Sequence, residues 1–348
     1  MTGPAAPVRL RWPDVARGGA MMFVVLAHTL QLLDAYGWSL GWLDTANTFL
    51  TAIRMPLFFT IAGMLATSAL RRPWGRLWRT RLLLLVYVYV LWMAVRSVWF
   101  SFVPWPLGDL PPWASFLLLP VWPTTGLWFL YALVLYTVAA KALSRAPRWV
   151  SLGAAAALSV LAAYDLVPTG DNPIWRSIAL YLLFFLLGVH GSDLWKALAA
   201  RTRAWWAVPA LLLIPAAFAV FTLVPSAGAG AARVLLSTVC VAACIVLASV
   251  LARVPGLSAP FAAVGRRTLP IYVMHTLLLA AAVAVVPVGV VPTPAAAIGL
   301  CAGAIVVSLG LANLLDGVPG VFAPPAAWTR DATQHERPQP DSGRPVER

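Results

Sequence analysis

The chain has 348 residues, of which 61% belong to the set AVILMFWYC and only 11% are charged, and its mean hydropathy is +0.83. Soluble domains carry about 25% charged residues, so the composition excludes a water-exposed globule and predicts an all-α, polytopic membrane helix bundle. The formal charge of +13, from 25 Lys and Arg against 12 Asp and Glu, is spread between apolar runs. That is the pattern of membrane topology rather than of nucleic-acid binding, and no nucleic acid is expected as a partner.

In chain order, ten apolar stretches are each long enough to cross ~30 Å of hydrocarbon as a helix. They run approximately over 15–34, 46–69, 82–101, 124–142, 149–165, 174–190, 204–223, 231–252, 268–287 and 295–315. With residue 1 in the cytoplasm, the inner segments collect Arg9 and Arg11, then Arg71, Arg72, Arg76, Arg79 and Arg81, then Lys141, Arg145 and Arg148. Lys196, Arg201 and Arg203, then Arg253, Arg266 and Arg267, continue the series. The outer segments hold Asp34, Asp44, Asp109, Asp165 and Asp171, with Arg54, Arg96, Arg176 and Arg233 as the basic residues of the outer half. This asymmetry predicts ten spans with both termini cytoplasmic. The chain then divides into a cytoplasmic segment 1–13, a membrane domain 14–316 and a polar, Pro-rich cytoplasmic tail 317–348 expected to be disordered. The first stretch has no A-x-A cleavage site and is read as a retained span. Cys240, Cys244 and Cys301 lie inside apolar runs without metal-ligand company, so they read as packing residues and no metal site is expected.

The external segment 102–123 carries six prolines and Trp105, Trp113 and Trp122. Such a stretch reads either as a cover over a site opening outward or as an aromatic-belt loop.

Ionisable residues inside apolar spans cost at least ~2.5–3.5 kcal/mol for Arg unless they face a wet or paired interior. Arg17, His28, Arg54 and His275 are such residues. Arg17 and His28 are eleven positions apart, which returns them to within about 20° on one helix face and separates them by about 16 Å along the axis. Asp14, three residues earlier, is placed to pair with Arg17. Arg54, on a helix running the other way, reaches a depth comparable with His28, which suggests a central polar site. The bland alternatives are a core His28, a snorkelling Arg17 and a packing role for His275, three residues after Tyr272. The run Arg71–Arg81, RRPWGRLWRTR, reads as a positive-inside loop against anionic lipid or as a phosphate-binding rim.

Five stretches resemble the acyltransferase 3 family of integral membrane acyltransferases. DVARGGAMMFVVLAH, with Arg17 and His28, is similar to its first-span signature and RMPLFFTIAGML to its second-span motif. RRPWGRLWRTRLLLL resembles its basic loop, GLWFLYAL its Trp-Phe-Leu span and LPIYVMH its Tyr-x-x-His span, all in family order. Two departures stand out: Arg54 occupies a position where the family often has His, and Leu82–Tyr87 replaces a proline usual after the basic loop.

The resemblance implies transfer of an acyl group, commonly acetyl, from cytoplasmic acyl-CoA to a hydroxyl of a glycan or glycosylated small molecule. It also implies a multi-pass protein of a bacterial cytoplasmic membrane, with membrane lipid around it and no tightly bound cofactor. In that reading His28 is the general base, Arg54 stabilises the oxyanion, Arg17 with Arg76 and Arg79 holds coenzyme A phosphates, and Trp128, Tyr272 and His275 shape the substrate cavity. No hydrolase-like domain such as some members carry is seen, so direct transfer to the acceptor is expected. The competing reading is a transporter or flippase for a lipid-linked sugar or small amphiphile, whose pore could also need Arg and His at mid-depth.

Overall fold

A backbone surrounded by lipid has to satisfy its own hydrogen bonds, and this chain does so in helices. A computed structural model of the protein describes residues 10–329 apart from 109, 124–125, 171, 225 and 286–292, and no strand occurs among the described residues. In order they are α1 (Trp12–Ala35), α2 (Trp42–Leu70), α3 (Trp74–Leu77), a π-helical turn (Trp78–Leu82), α4 (Leu83–Phe100), α5 (Pro112–Leu117), α6 (Trp128–Ala142) and α7 (Arg148–Ala163). There follow α8 (Pro173–His190), α9 (Ser192–Arg201), α10 (Ala207–Leu223), α11 (Ser226–Leu251), α12 (Pro255–Arg266), α13 (Thr268–Ala284), α14 (Pro294–Leu315) and α15 (Ala326–Thr329).

Each of the ten stretches read from the sequence overlaps a helix, and among the described residues seven helices are long and apolar enough to cross a membrane. The pair α12 and α13, bent by 80° at its break, makes an eighth if taken as one span. Helices α6 and α7 have 15 and 16 residues, short of the ~20 of a full crossing. Among the described residues the candidate full crossings therefore number seven or eight, against about ten read from the sequence.

Proline opens several helices. Pro13, Pro112, Pro173, Pro255 and Pro294 sit in first turns, where a missing N–H costs nothing because that donor has no intrahelical acceptor. Asn172 and Thr293 cap α8 and α14 through their side-chain oxygens.

Helix α1 packs against α2, α11, α12, α13 and α14, which makes it the central element. Two glycine interlocks fix its neighbourhood. Gly18 of α1 lies against the carbonyl of Phe261 while Gly265 of α12 lies against that of Asp14. Gly63 of α2 and Gly188 of α8 meet the carbonyls of Phe185 and Thr60 in the same reciprocal way. A Cβ at any of the four would overlap backbone, so these helix pairs approach as closely as only small residues permit.

The region after α14 differs from expectation. Residues 317–329 were assigned to a disordered tail, yet Tyr87 Oη donates to the Gly320 carbonyl at 2.8 Å and Trp92 Nε1 to that of Val321 at 2.9 Å. Phe322 stacks on Trp92 with ring centroids 5.8 Å apart. The apolar pair Val321 and Phe322, flanked by prolines, anchors this segment to α4. The rest of the expected tail, 330–348, and residues 1–9 lie outside the described residues.

Candidate active site

The sequence places Arg17, Met21, Val24, His28 and Gln31 at helical intervals of three and four, so one face of α1 runs from a guanidinium to an imidazole and on to an amide. Two cavities open along that face. The first, about 480 Å³, is walled by His28, Gln31 and Asp34 of α1, Thr51 and Arg54 of α2, and the aromatic side chains of Trp105, Trp128 and Tyr181. The second, about 390 Å³, is walled by Arg17, Ser68, Arg72, Thr80, Arg81 and Thr268. Met21, Phe58, Phe129 and Tyr272 line both. The two cavities therefore meet at one apolar septum, with Arg17 on one side and His28 on the other.

His28 is partly buried on α1, and its Nδ1 lies 2.9 Å from Nε2 of the fully buried His275 on α13. Nδ1 of His275 in turn lies 2.9 Å from the Ile271 carbonyl. His28 and Arg54 thus wall one cavity, and His275 stands directly behind His28 rather than on the cavity wall. The next residue, Thr276, accepts a hydrogen bond from Arg96 Nη1 of α4, and the Arg96 guanidinium stacks 4.8 Å from the Phe100 ring and 5.9 Å from the Trp105 ring. Gly126 lies against that guanidinium at φ +105°, where a Cβ would come within 2.6 Å of Arg96 Nη2. Both the backbone angle and the space call for glycine.

Arg54 is buried, and its Nη1 donates to Asn47 Oδ1 at 2.7 Å, two turns earlier on α2. A neutral amide, not a carboxylate, thus orients this guanidinium at the cavity wall. Tyr272 Oη accepts a hydrogen bond from the Phe129 backbone N–H at 3.1 Å, which sets the ring edge at the septum. Trp128 packs beside Phe59 and Tyr181.

In the basic cavity, Arg17 pairs with Asp14 as the spacing predicts. Arg81 reaches from the π-helical turn to Thr137 Oγ1 and to the Ala62 carbonyl, both at 3.4 Å. Arg76 and Arg79 are exposed and are absent from the cavity wall; Arg72 and Arg81 stand there instead. The external segment is a partial cover: Trp105 and Leu107 line the first cavity, whereas Trp113 is exposed.

A family model described as an acyltransferase domain matches residues 10–313. The chain belongs to the acyltransferase 3 family. No curated protein and no solved structure matches it. The matched region of this family spans α1 to α14 and so contains both cavities and the septum.

Sequence reasoning missed several residues of the site. Gln31 follows His28 by three positions on the same helix face and is legible from periodicity, whereas Asp34, six positions on, is turned about 120° from His28 and is not. Nor is Arg96, because its partner Thr276 is 180 residues away. Arg72 and Arg81 flank the chosen arginines of the basic run, and no periodicity survives the turn between α2 and α4 to tell them apart.

Proposed function

We propose that this membrane acyltransferase moves an acyl group, in the simplest case acetyl, from acyl-CoA to a hydroxyl of a glycan or glycosylated small molecule. The observation that carries the reading is the pair of cavities meeting at one septum, one basic and one holding an imidazole and a guanidinium. Pyrophosphate binds well to arginine forks, and Arg17, Arg72 and Arg81 offer three of them at the mouth away from His28. Arg17 and His28 are separated by about 16 Å of helix, comparable with the extended, peptide-like pantetheine arm at ~3.3–3.6 Å per residue equivalent. Phosphates held at the arginines put the thioester at the His28 side of the septum.

There His28 takes the proton of the attacking hydroxyl, the hydroxyl oxygen bonds to the thioester carbon, and the Arg54 charge stabilises the oxyanion. Collapse breaks the carbon–sulfur bond, the proton passes from the imidazolium to the thiolate, and CoA and the ester leave on their own sides. Direct transfer fits the wall chemistry: the hydroxyls of Thr51 and Ser177 donate to the carbonyls of Asn47 and Pro173 at 3.2 Å, so neither is primed by a base. Trp105, Trp128, Gln31 and Asp34 give the outer cavity flat apolar faces beside hydrogen-bonding groups, a combination suited to sugar rings and their hydroxyls. In this reading the membrane is a bacterial plasma membrane, and the excess of basic residues puts the arginine-lined mouth on its cytoplasmic side.

The test is release of CoA from radiolabelled acetyl-CoA by the full chain in nanodiscs, with and without a pool of hydroxylated glycans. Release that needs the pool and leaves labelled ester supports the proposal. Movement of an unaltered solute without CoA release overturns it in favour of a transporter.

A further inference from the structure

A histidine general base is useful only if the nitrogen that faces the hydroxyl carries no proton, and the hydrogen bond made by the other nitrogen decides this. In water the histidine side chain favours a proton on Nε2, which is the wrong arrangement for a base whose Nδ1 is turned away from the substrate. We propose that His275 is a positioning residue: it fixes His28 in the Nδ1–H form, so that Nε2 presents its lone pair to the cavity. The kinetic consequence rests on the acyltransferase reading, whereas the proton placement does not.

The Ile271 carbonyl can only accept a hydrogen bond. His275 Nδ1 lies 2.9 Å from it and must therefore donate. A neutral ring protonated at Nδ1 has a bare Nε2, and His275 Nε2 lies 2.9 Å from His28 Nδ1. That contact is a hydrogen bond only if His28 Nδ1 holds the proton, which leaves His28 Nε2 bare. The reverse order would set two lone pairs against each other at Ile271 and leave a buried acceptor unsatisfied.

The placement of His275 is enforced from three sides. Its ring is fully buried, it leans on Tyr272 with centroids 6.1 Å apart, and the following Thr276 is tied to Arg96 of α4. His275 is absent from the cavity wall while His28 is part of it, so the pair divides into a residue that meets substrate and a residue that acts through it.

Three variants separate this role from packing. The amide oxygen of His275→Gln can reach the place of the lost Nε2 and accept from His28, whereas His275→Asn is too short and His275→Leu has no acceptor. With acetyl-CoA and a pool of hydroxylated glycans, the Gln variant is expected within about 5-fold of wild-type kcat, and the Asn and Leu variants about 10²-fold below it, at unchanged KM for acetyl-CoA. In the substrate-free, full-length protein in nanodiscs, ¹⁵N-histidine NMR is expected to show His28 protonated at Nδ1 and bare at Nε2, and to lose that single form in His275→Leu. Wild-type kcat in His275→Leu overturns the proposal, as does equal loss in Gln and Leu variants or a His28 protonated at Nε2 in the wild type. Absence of turnover in the wild type removes the acyltransferase reading alone, since the ¹⁵N spectrum decides the proton placement without substrate.

Discussion

The cavity of His28 and the cavity of Arg17 share four side chains and a central helix, yet they hold their ionisable groups in opposite ways. Around His28 the partners come mostly from far along the chain: His275 from α13, behind it Thr276 held by Arg96 of α4, and Arg54 of α2, itself steadied by the nearby Asn47. Around Arg17 the supports are local or peripheral, a carboxylate three residues away and, for Arg81, a carbonyl and a hydroxyl at long range. Fixed groups suit a developing charge, because a preorganised site needs no rearrangement as the reaction proceeds. Adaptable arginines suit a large phosphate-bearing ligand that has to enter and leave. On this account substitutions in the first cavity change kcat and substitutions in the second change KM.

The largest expected effect is that of His28→Ala, a loss of about 10³-fold in kcat, as for removal of a general base, with acetyl-CoA binding retained. CoA release under saturating acetyl-CoA measures the first and equilibrium binding of acetyl-CoA the second; loss of both together would merge the two cavities into one function. Next is Arg54→Gln, expected to lower kcat by about 10²-fold, with Arg54→Lys between it and wild type because a point charge stabilises the oxyanion without the guanidinium fork. A rise in KM at unchanged kcat would move Arg54 from chemistry to binding. In the basic cavity, Arg72→Ala with Arg81→Ala is expected to raise KM for acetyl-CoA about 10-fold while kcat stays within about 2-fold, the scale of one or two lost charge-assisted hydrogen bonds. The smallest effect belongs to Arg76→Ala with Arg79→Ala, expected below about 2-fold in either constant because both side chains are exposed and neither lines the cavity. A larger KM effect there than at Arg72 and Arg81 would reassign the phosphate site to the exposed rim.

Much of this arrangement was legible before any coordinates. The charge asymmetry and apolar runs located every long helix, and eleven steps of helical periodicity put Arg17 and His28 on one face. The pairing of Arg17 with Asp14 followed from a spacing of three. What stayed hidden depended on contacts between distant segments. His275 read equally as packing or chemistry until α13 brought it 2.9 Å from a residue 247 positions earlier. The short helices α6 and α7 looked like full spans because apolar composition records what a segment tolerates and not how far it extends. Residues 317–329 looked like tail because prolines dominate them, and their anchoring aromatic partners lie on α4.

The central claim is that donor and acceptor enter from opposite sides of one septum and meet at His28. Its most direct test uses the protein inserted in one orientation into sealed liposomes, with radiolabelled acetyl-CoA supplied on one side and hydroxylated glycans on the other. The account predicts labelled ester on the glycan side only when acetyl-CoA is on the side of Arg72 and Arg81, and none with His28→Ala. Equal ester formation with both substrates confined to the His28 side would contradict it.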